Sequence, residues 1–239
     1  MQFLHRDSLL FESGSAGEPS RRLVQIAFTG KGLPATKPED FGRAVGDLLP
    51  VDVEPAWVRQ IHSADVLEAR SSGPCGPADA LTTRGAGLGL SVVTADCVPV
   101  LLAGWGTETA DGLREPQIAA VHAGWRGIAA GIVGEATSRF VEPPRAAWIG
   151  PAIGGTVYEV GPEVAGQIAA AADESVVSMG PNGREHVDLR RAVESQLRSL
   201  GVGDVRQVDR CTYSDESLWS YRRDGERAGR NLSVIWIEP

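Results

Sequence analysis

The chain has 239 residues, of which 42% are hydrophobic and 23% charged, and this composition is typical of a globular protein that buries a core. Its formal net charge of −8 argues against non-specific binding to nucleic acid, which depends on lysines and arginines that neutralise phosphates. The longest apolar stretch, residues 88–103, is interrupted by Asp96 and is too short to span a bilayer, so we expect no membrane partner.

The cysteines and the first residues indicate the cellular compartment. Cys75, Cys97 and Cys211 are odd in number and widely spaced, which argues against a disulfide framework. The first residues contain no apolar run of the length that a secretory signal requires. We therefore expect a protein of the reducing cytoplasm.

Strand-like and helix-like patterns alternate along the chain. Residues 10–20 are rich in Gly, Ser and Glu and are predicted to be a loose loop, so that residues 1–20 form a loose N-terminal segment. Residues 104–116 are predicted to be an exposed excursion between strands. Strands are predicted at residues 22–29, 55–62, 88–94, 117–122, 145–149, 204–208 and 232–237. Helices are predicted at residues 37–49, 126–140, 162–172 and 189–200, the last capped by Asp188 and ended by Gly201. The interleaving predicts a single α/β domain, residues 1–239, with a mixed sheet core.

Three short segments each place a metal-binding residue type where an apolar run meets a turn. They carry His62, Cys97 and His122. Two imidazoles and one thiolate suit Zn²⁺, and three protein ligands leave a fourth tetrahedral position open, as in a catalytic site. A zinc ion in such a site lowers the pKa of water and so supplies hydroxide near neutral pH. On spacing alone, a shared metal site and ordinary buried roles are equally good interpretations.

Arginines near these segments are candidates to bind an anion. Arg126 lies between Gly124 and Gly127 at a predicted strand-to-helix turn, where free N–H groups favour negative charge. Residues 219–230 cluster four arginines among aromatic residues, and guanidinium groups bind phosphate or carboxylate in a bidentate manner. Surface ion pairs and cation–π packing are the alternative interpretation of both features.

Four segments carry a resemblance to a known family: residues 94–100, 122–127, 150–154 and 211–213. There the sequence resembles the YfiH-type laccase-domain family, whose members are named polyphenol oxidase, purine nucleoside phosphorylase or peptidoglycan editing factor. The resemblance runs from about residue 22 to residue 237. It implies layered mixed β-sheets flanked by helices, an architecture similar to that of cysteine hydrolases, and a zinc ion bound by His62, Cys97 and His122.

The same resemblance implies an activity, and charged residues of the chain are candidates to serve it. The activity is phosphorolysis of adenosine, inosine, guanosine and methylthioadenosine, with adenosine deamination, so the partners are a nucleoside and phosphate. Asp96 joins the three metal ligands as a candidate catalytic residue, either to orient a ligand or the sugar hydroxyls, or only to cap its turn. The candidate substrate- and phosphate-binding residues are Arg59, Arg126, Arg222 and Arg230.

The sequence departs from the family pattern at a few positions. Ser63 replaces a usual Gly, and Ala152 and Ser214 each replace a frequent Cys, but none of these changes removes a proposed zinc ligand. The family's copper-oxidase name can be tested by counting, since a four-copper site needs roughly ten histidines. The chain has four histidines, which excludes such a site, although adventitious Cu²⁺ could occupy a His₂Cys site.

Two other functions use the same residues. In a metal-free Cys–His hydrolase, Cys97 would be a nucleophile activated by His122 or His62, and the substrate would be a peptidoglycan precursor. The third hypothesis is a non-enzymatic nucleotide-binding module.

Overall fold

The computed structural model describes residues 3–13, 20–31, 45–47, 49–108 and 114–239. These residues form two mixed six-stranded sheets and one small two-stranded sheet. Sheet I contains, in spatial order, β1 (Phe3–Ser13), β2 (Ser20–Thr29), β14 (Asn231–Ile237), β7 (Leu88–Thr94), β3 (Glu54–Arg59) and β5 (Gly73–Pro77). Sheet II contains β13 (Asp204–Gln207), β10 (Ala146–Ile149), β8 (Val98–Glu108), β9 (Arg114–Ala123), β6 (Ala80–Thr83) and β4 (Val66–Glu68). The small sheet pairs β11 (Val177–Met179) with β12 (Glu185–Val187).

Helices complete the layers. They are α1 (Trp125–Ala129), α2 (Ile132–Thr137), α3 (Pro162–Ala171), α4 (Leu189–Ser199) and α5 (Tyr221–Asp224), with 3₁₀ turns at Glu174–Val176 and Gly225–Arg227. Both large sheets contain parallel and antiparallel pairs, for example β3 parallel to β7 and β14 antiparallel to β7. The predicted fold class, layered mixed sheets flanked by helices, is confirmed. Among the described residues, no helix is long and apolar enough to cross a lipid bilayer.

Strand β8 shows how the layers are held together. Leu101 lies in the core between the two sheets, together with Leu90 and Ile235 of sheet I. Its neighbour Leu102 belongs to the core on the other face of sheet II, where helices α1 to α4 pack. Because successive side chains of a strand point to opposite faces, a strand covered on both faces is apolar throughout.

Two predicted loops are wrong because their residues belong to long strands. Of the predicted loose segment at residues 1–20, including the loop at residues 10–20, residues 3–13 form β1, which pairs antiparallel with β2. Residues 14–19 lie outside the described residues. Strand β8 continues to Glu108 and β9 begins at Arg114, so residues 104–116 are mostly paired, while residues 109–113 lie outside the described residues. The rings of Phe11 in β1 and Trp105 in β8 pack edge to face, with their centroids 4.8 Å apart. The sequence of neither segment reveals this contact by itself.

The other predicted elements agree with the structure except at several ends. The strand predicted at residues 55–62 ends at Arg59. The helix predicted at residues 126–140 is broken at Gly131, whose φ of +88° is left-handed, so two short helices replace it. The helix predicted at residues 37–49 lies largely outside the described residues, of which Val45 and Gly46 are helical. Asp188 caps α4 as predicted, with its side chain accepting from the N–H of Arg191 at 3.0 Å, and Gly201 follows the helix with φ +87°. Strands β4, β5, β6, β11 and β12 and helix α5 were not predicted.

Candidate metal centre

His62, Cys97 and His122 meet at one end of the two large sheets. His62 follows β3, Cys97 lies in the turn that leads from β7 of sheet I to β8 of sheet II, and His122 is near the end of β9. One ligand atom from each residue lies within 4.8 Å of the other two. The Sγ atom of Cys97 is 4.0 Å from Nε2 of His62, and the two imidazole rings are nearly perpendicular. The structure therefore brings together three residues that are far apart in the sequence.

Asp79, which sequence reasoning missed, lies directly behind this group. Its side chain is fully buried, and Oδ1 accepts a hydrogen bond from Nδ1 of His122 at 2.7 Å. Because an ionised carboxylate only accepts, Nδ1 of His122 carries the proton and Nε2 is the ring nitrogen available to a metal. The only signal that the sequence gives for Asp79 is its position directly before the short strand β6.

Cys97 favours its charged form, as a metal ligand must, whereas His122 has to release a proton before it can bind a metal. Burial alone would raise the pKa of the Cys97 thiol, but hydrogen bonds and the charges of His122 and His62 lower it to about 6. Burial would lower the pKa of His122, but the hydrogen bonds to Asp79 and Cys97 raise it to about 9. Burial likewise opposes ionisation of Asp79, yet bonds from His122 and from backbone N–H groups lower its pKa to about 2. A thiolate is the form of cysteine that binds metals, and it is already favoured here.

The three side chains line a cleft with a volume of about 1060 Å³. Trp57 and Val93 contribute to its apolar wall, and Tyr158 lies near the thiol. Burial and the charge of Cys97 raise the pKa of Tyr158 to about 12, so its hydroxyl is a hydrogen-bond donor at neutral pH. A cleft of this size that combines an apolar wall with polar and charged side chains is typical of a small-molecule site.

Three of the four candidate arginines line this cleft, and one does not. The lining includes Arg59, Arg222 and Arg230. Nη1 of Arg222 donates to the carbonyl oxygen of Glu159 at 3.0 Å, which fixes its guanidinium at the wall. Arg126 is absent from the lining among the described residues, and its guanidinium instead lies 4.3 Å over the ring of Trp125.

Asp96 also lines the cleft, but its carboxylate is already hydrogen bonded. Its φ of +97° is unusual for a residue with a side chain. Oδ1 accepts from the hydroxyl of Thr212 at 2.5 Å, and Oδ2 accepts from the backbone N–H of Arg222 at 2.6 Å. Asp96 thus connects the turn that carries Cys97 to the segment that carries Arg222.

Comparison with known proteins identifies the family. A sequence profile described as multi-copper polyphenol oxidoreductase laccase matches residues 42–238. The chain belongs to this laccase family. Its relatives include the purine nucleoside phosphorylase YfiH of Escherichia coli K12, which is 37% identical over 190 residues, covering 77% of this chain and 74% of that protein. The purine nucleoside phosphorylase PA4543 of Pseudomonas aeruginosa is 36% identical over 195 residues, covering 79% and 76% respectively.

Solved structures share the fold of this chain. Protein NMB0706 of Neisseria meningitidis superposes with a TM-score of 0.72 at 27% identity, covering 96% of this chain and 99% of that one. The YlmD protein of Geobacillus stearothermophilus gives a TM-score of 0.68 at 25% identity, covering 91% of this chain and 92% of that one. The resemblance to YfiH-type proteins that the motifs indicated is confirmed.

The multi-copper part of the family description can be compared with the histidines of this chain. Besides His62 and His122, the chain has His5, whose ring lies 6.3 Å from that of Phe28, and His186, whose Nδ1 is 3.2 Å from the carbonyl oxygen of Gly155. Neither belongs to the His62–Cys97–His122 group, which is the one candidate metal group within the described part of the chain.

Proposed function

We propose that this chain is a zinc-dependent purine nucleoside phosphorylase that acts on adenosine, inosine, guanosine and methylthioadenosine and that also deaminates adenosine. The observation that carries the proposal is a His–Cys–His group in the wall of a large cleft whose lining also includes three arginines. Relatives named purine nucleoside phosphorylase, at 36% and 37% identity, support the same reaction class.

The donor set fits a zinc ion. Two imidazole nitrogens and one thiolate are common ligands of catalytic zinc sites, and the three ligand atoms, which lie within 4.8 Å of one another, would move closer together to bind one ion. His62, Cys97 and His122 would hold it. When bound, zinc acts as a Lewis acid and lowers the pKa of water.

For phosphorolysis, the side chains of the cleft would bind and orient two substrates. Arg59, Arg222 and Arg230 supply positive charge for phosphate, and guanidinium groups bind its oxygens in a bidentate manner. The rings of Trp57 and Tyr158 supply faces for a purine base. In the reaction, a phosphate oxygen forms a bond to C1′ of the ribose while the bond from C1′ to the base breaks and its electron pair leaves with the base. Holding both reactants in one cleft provides proximity and orientation.

Deamination of adenosine would use the same cleft with water as the second reactant. Water adds to C6 of the base, and ammonia leaves from the same carbon. Both reactions would therefore take place in the cleft whose wall holds the proposed metal ligands.

The test combines metal analysis with turnover. Purified protein is assayed for zinc content and for release of base from each nucleoside in the presence of phosphate. We expect one zinc per chain, phosphate-dependent release of base, and loss of both in Cys97→Ala. Cys211→Ser is the matched control, because this cysteine accepts from the N–H of Gly154 at 3.2 Å and serine keeps an acceptor there. Full nucleoside cleavage after complete removal of metal by a chelator would overturn the proposal.

One observation favours the metal-free hydrolase as the second candidate. Asp79, His122 and Cys97 form a carboxylate–imidazole–thiolate series like that of cysteine hydrolases, and the lowered pKa of Cys97 favours its thiolate. Zinc that protects Cys97 from alkylation would support the metal ligand, whereas an acyl group trapped on Cys97 by a peptidoglycan-precursor amide would support the hydrolase. Tight nucleoside binding with no turnover of any substrate would support a binding module instead.

A further inference from the structure

We propose that Asp79 is the positioning residue of the metal centre and that its one carboxylate sets both the ring orientation of His122 and the backbone conformation at His62. The inference rests on the proposed metal-binding role of these histidines, but not on the identity of the substrate.

The carboxylate of Asp79 is surrounded by hydrogen-bond donors. Oδ1 accepts from Nδ1 of His122 at 2.7 Å and from the backbone N–H of His62 at 2.9 Å. Oδ2 accepts from the backbone N–H groups of Ile61 at 3.2 Å and Ser63 at 2.6 Å, and from the Ser63 hydroxyl at 3.0 Å. Two carboxylate oxygens offer about four lone-pair sites, so five donors use the full capacity of the group. A fully buried side chain with this many bonds has one orientation.

The bonds to the backbone explain the conformation of His62. This residue has a φ of +60°, which is uncommon for a residue other than glycine. The N–H groups of residues 61, 62 and 63 all point to Asp79, so the turn is wrapped around the carboxylate. This wrapping directs the imidazole of His62 toward Cys97, while the residue stays exposed to solvent.

The bond to His122 selects its tautomer and its position. Because Nδ1 donates to Asp79, Nε2 has its lone pair free whenever the ring is neutral. The backbone N–H of His122 also donates to the carbonyl oxygen of Asp79, at 2.7 Å. His122 is therefore attached to Asp79 through both its backbone and its side chain.

Asparagine cannot replace this carboxylate. If the amide oxygen of the asparagine in Asp79→Asn faces His122, its NH₂ group faces the N–H groups of Ile61 and Ser63, and donors oppose donors. With the amide flipped, NH₂ would face Nδ1 of His122, which would then have to accept, and the proton would move to Nε2 where a metal must bind. Either orientation disturbs one of the two histidines.

The experiment compares Asp79→Asn with Asp65→Asn, an exposed aspartate of the same segment. Zinc affinity is measured by competition with a chromophoric chelator, and the imidazole N–H proton of His122 is observed by NMR in metal-free protein. We expect Asp79→Asn to lower zinc affinity about 10- to 100-fold and to lose the slowly exchanging N–H signal. Asp65→Asn should change neither. Unchanged zinc affinity together with an unchanged N–H signal in Asp79→Asn would overturn the proposal.

A second variant covers the case in which Asp79→Asn does not fold. Ser63→Ala removes the hydroxyl bond to Oδ2 and the bond that this hydroxyl accepts from the backbone N–H of Asp65. It keeps the other four bonds to Asp79, so it should lower zinc affinity by a smaller factor in the same direction. If it folds and binds zinc as tightly as wild type, the proposal is overturned in that case too. Neither measurement uses nucleoside turnover, so a wild-type protein that binds zinc but cleaves no nucleoside would contradict the proposed function and leave this inference standing.

Discussion

Gly124 lies against two of the proposed metal ligands, and its lack of a side chain leaves room for them. A Cβ atom at this position would be 2.9 Å from Cδ2 of His62 and 3.2 Å from Sγ of Cys97. Ordinary carbon–carbon contacts are about 3.5–4.0 Å, so the imidazole would have to move by roughly 0.6 Å or more. Metal–ligand distances tolerate only about 0.2 Å. The φ of −74° at Gly124 suits alanine, so the effect comes from contact and not from backbone strain.

We therefore expect Gly124→Ala to weaken zinc binding about 10- to 100-fold, as changes around metal ligands commonly do. This corresponds to about 1.4–2.7 kcal/mol. The measurement is chelator competition at fixed pH, with thermal unfolding of the metal-free protein as a check that the fold is intact.

Gly134→Ala is the matched control, because Gly134 lies in α2 and a Cβ there would meet nothing within 4 Å. It should bind zinc normally and raise the free energy of unfolding by about 0.5–1 kcal/mol, since alanine is the better helix former. Wild-type zinc affinity in Gly124→Ala would refute the reasoning, because the ligands would then have room that the structure does not show.

Three further substitutions test other parts of the structure. Asp96→Asn can keep both side-chain hydrogen bonds of Asp96, so we expect its KM for phosphate to stay near that of wild type. Asp96→Ala loses both bonds and should raise this KM about tenfold or more. Loss of turnover in Asp96→Asn would instead indicate that Asp96 takes part in acid–base catalysis. Partial burial opposes ionisation of Asp7, but hydrogen bonds from Trp148 and Arg206 lower its pKa. That stabilisation is present above the unfolded pKa of about 3.9 and is lost as the pH falls through the lower folded value. Denaturant unfolding across this acid range should therefore show a flatter pH dependence in Asp7→Asn, and an unchanged profile would contradict the assignment. Asp188→Ala removes the α4 cap and should lower the free energy of unfolding, measured by chemical denaturation, by about 1 kcal/mol. An unchanged free energy of unfolding would mean that the cap contributes nothing to stability.

The three residues of the candidate metal group could be predicted to share a site because their residue types are rare and their positions are distinctive. Histidine and cysteine at the ends of apolar runs indicate a site even when the separations are long. Asp79 could not be found in this way, because an aspartate before a strand is an ordinary turn residue. Its role comes from a turn 16 to 18 residues earlier and a histidine 43 residues later, which only the folded chain brings together.

Contacts between distant parts of the chain also explain the errors in the predicted fold. Strand β7 was predicted with correct ends because its apolar run is local. Strand β1 and the outer half of β8 were missed, because their pairing and the contact of Phe11 with Trp105 are long-range. The break at Gly131 was hidden by an apolar pattern that continues on both sides of it.

The three proposed metal ligands lie at strand ends of both sheets. His62 follows β3 of sheet I, Cys97 lies between β7 of sheet I and β8 of sheet II, and His122 is near the end of β9 of sheet II. A bound ion would therefore act as a cross-link between the two sheets, and by mass action it would stabilise only the stacked arrangement. At a free zinc concentration of about 1,000 times the Kd, this linkage contributes about 4 kcal/mol to the stability of the fold. The coupling is reciprocal, so a substitution deep between the sheets, such as Leu101→Ala, would lower zinc occupancy without touching a ligand once it unfolds an appreciable fraction of the chains. Under such destabilising conditions, metal content would report on the fraction of chains whose two sheets are packed.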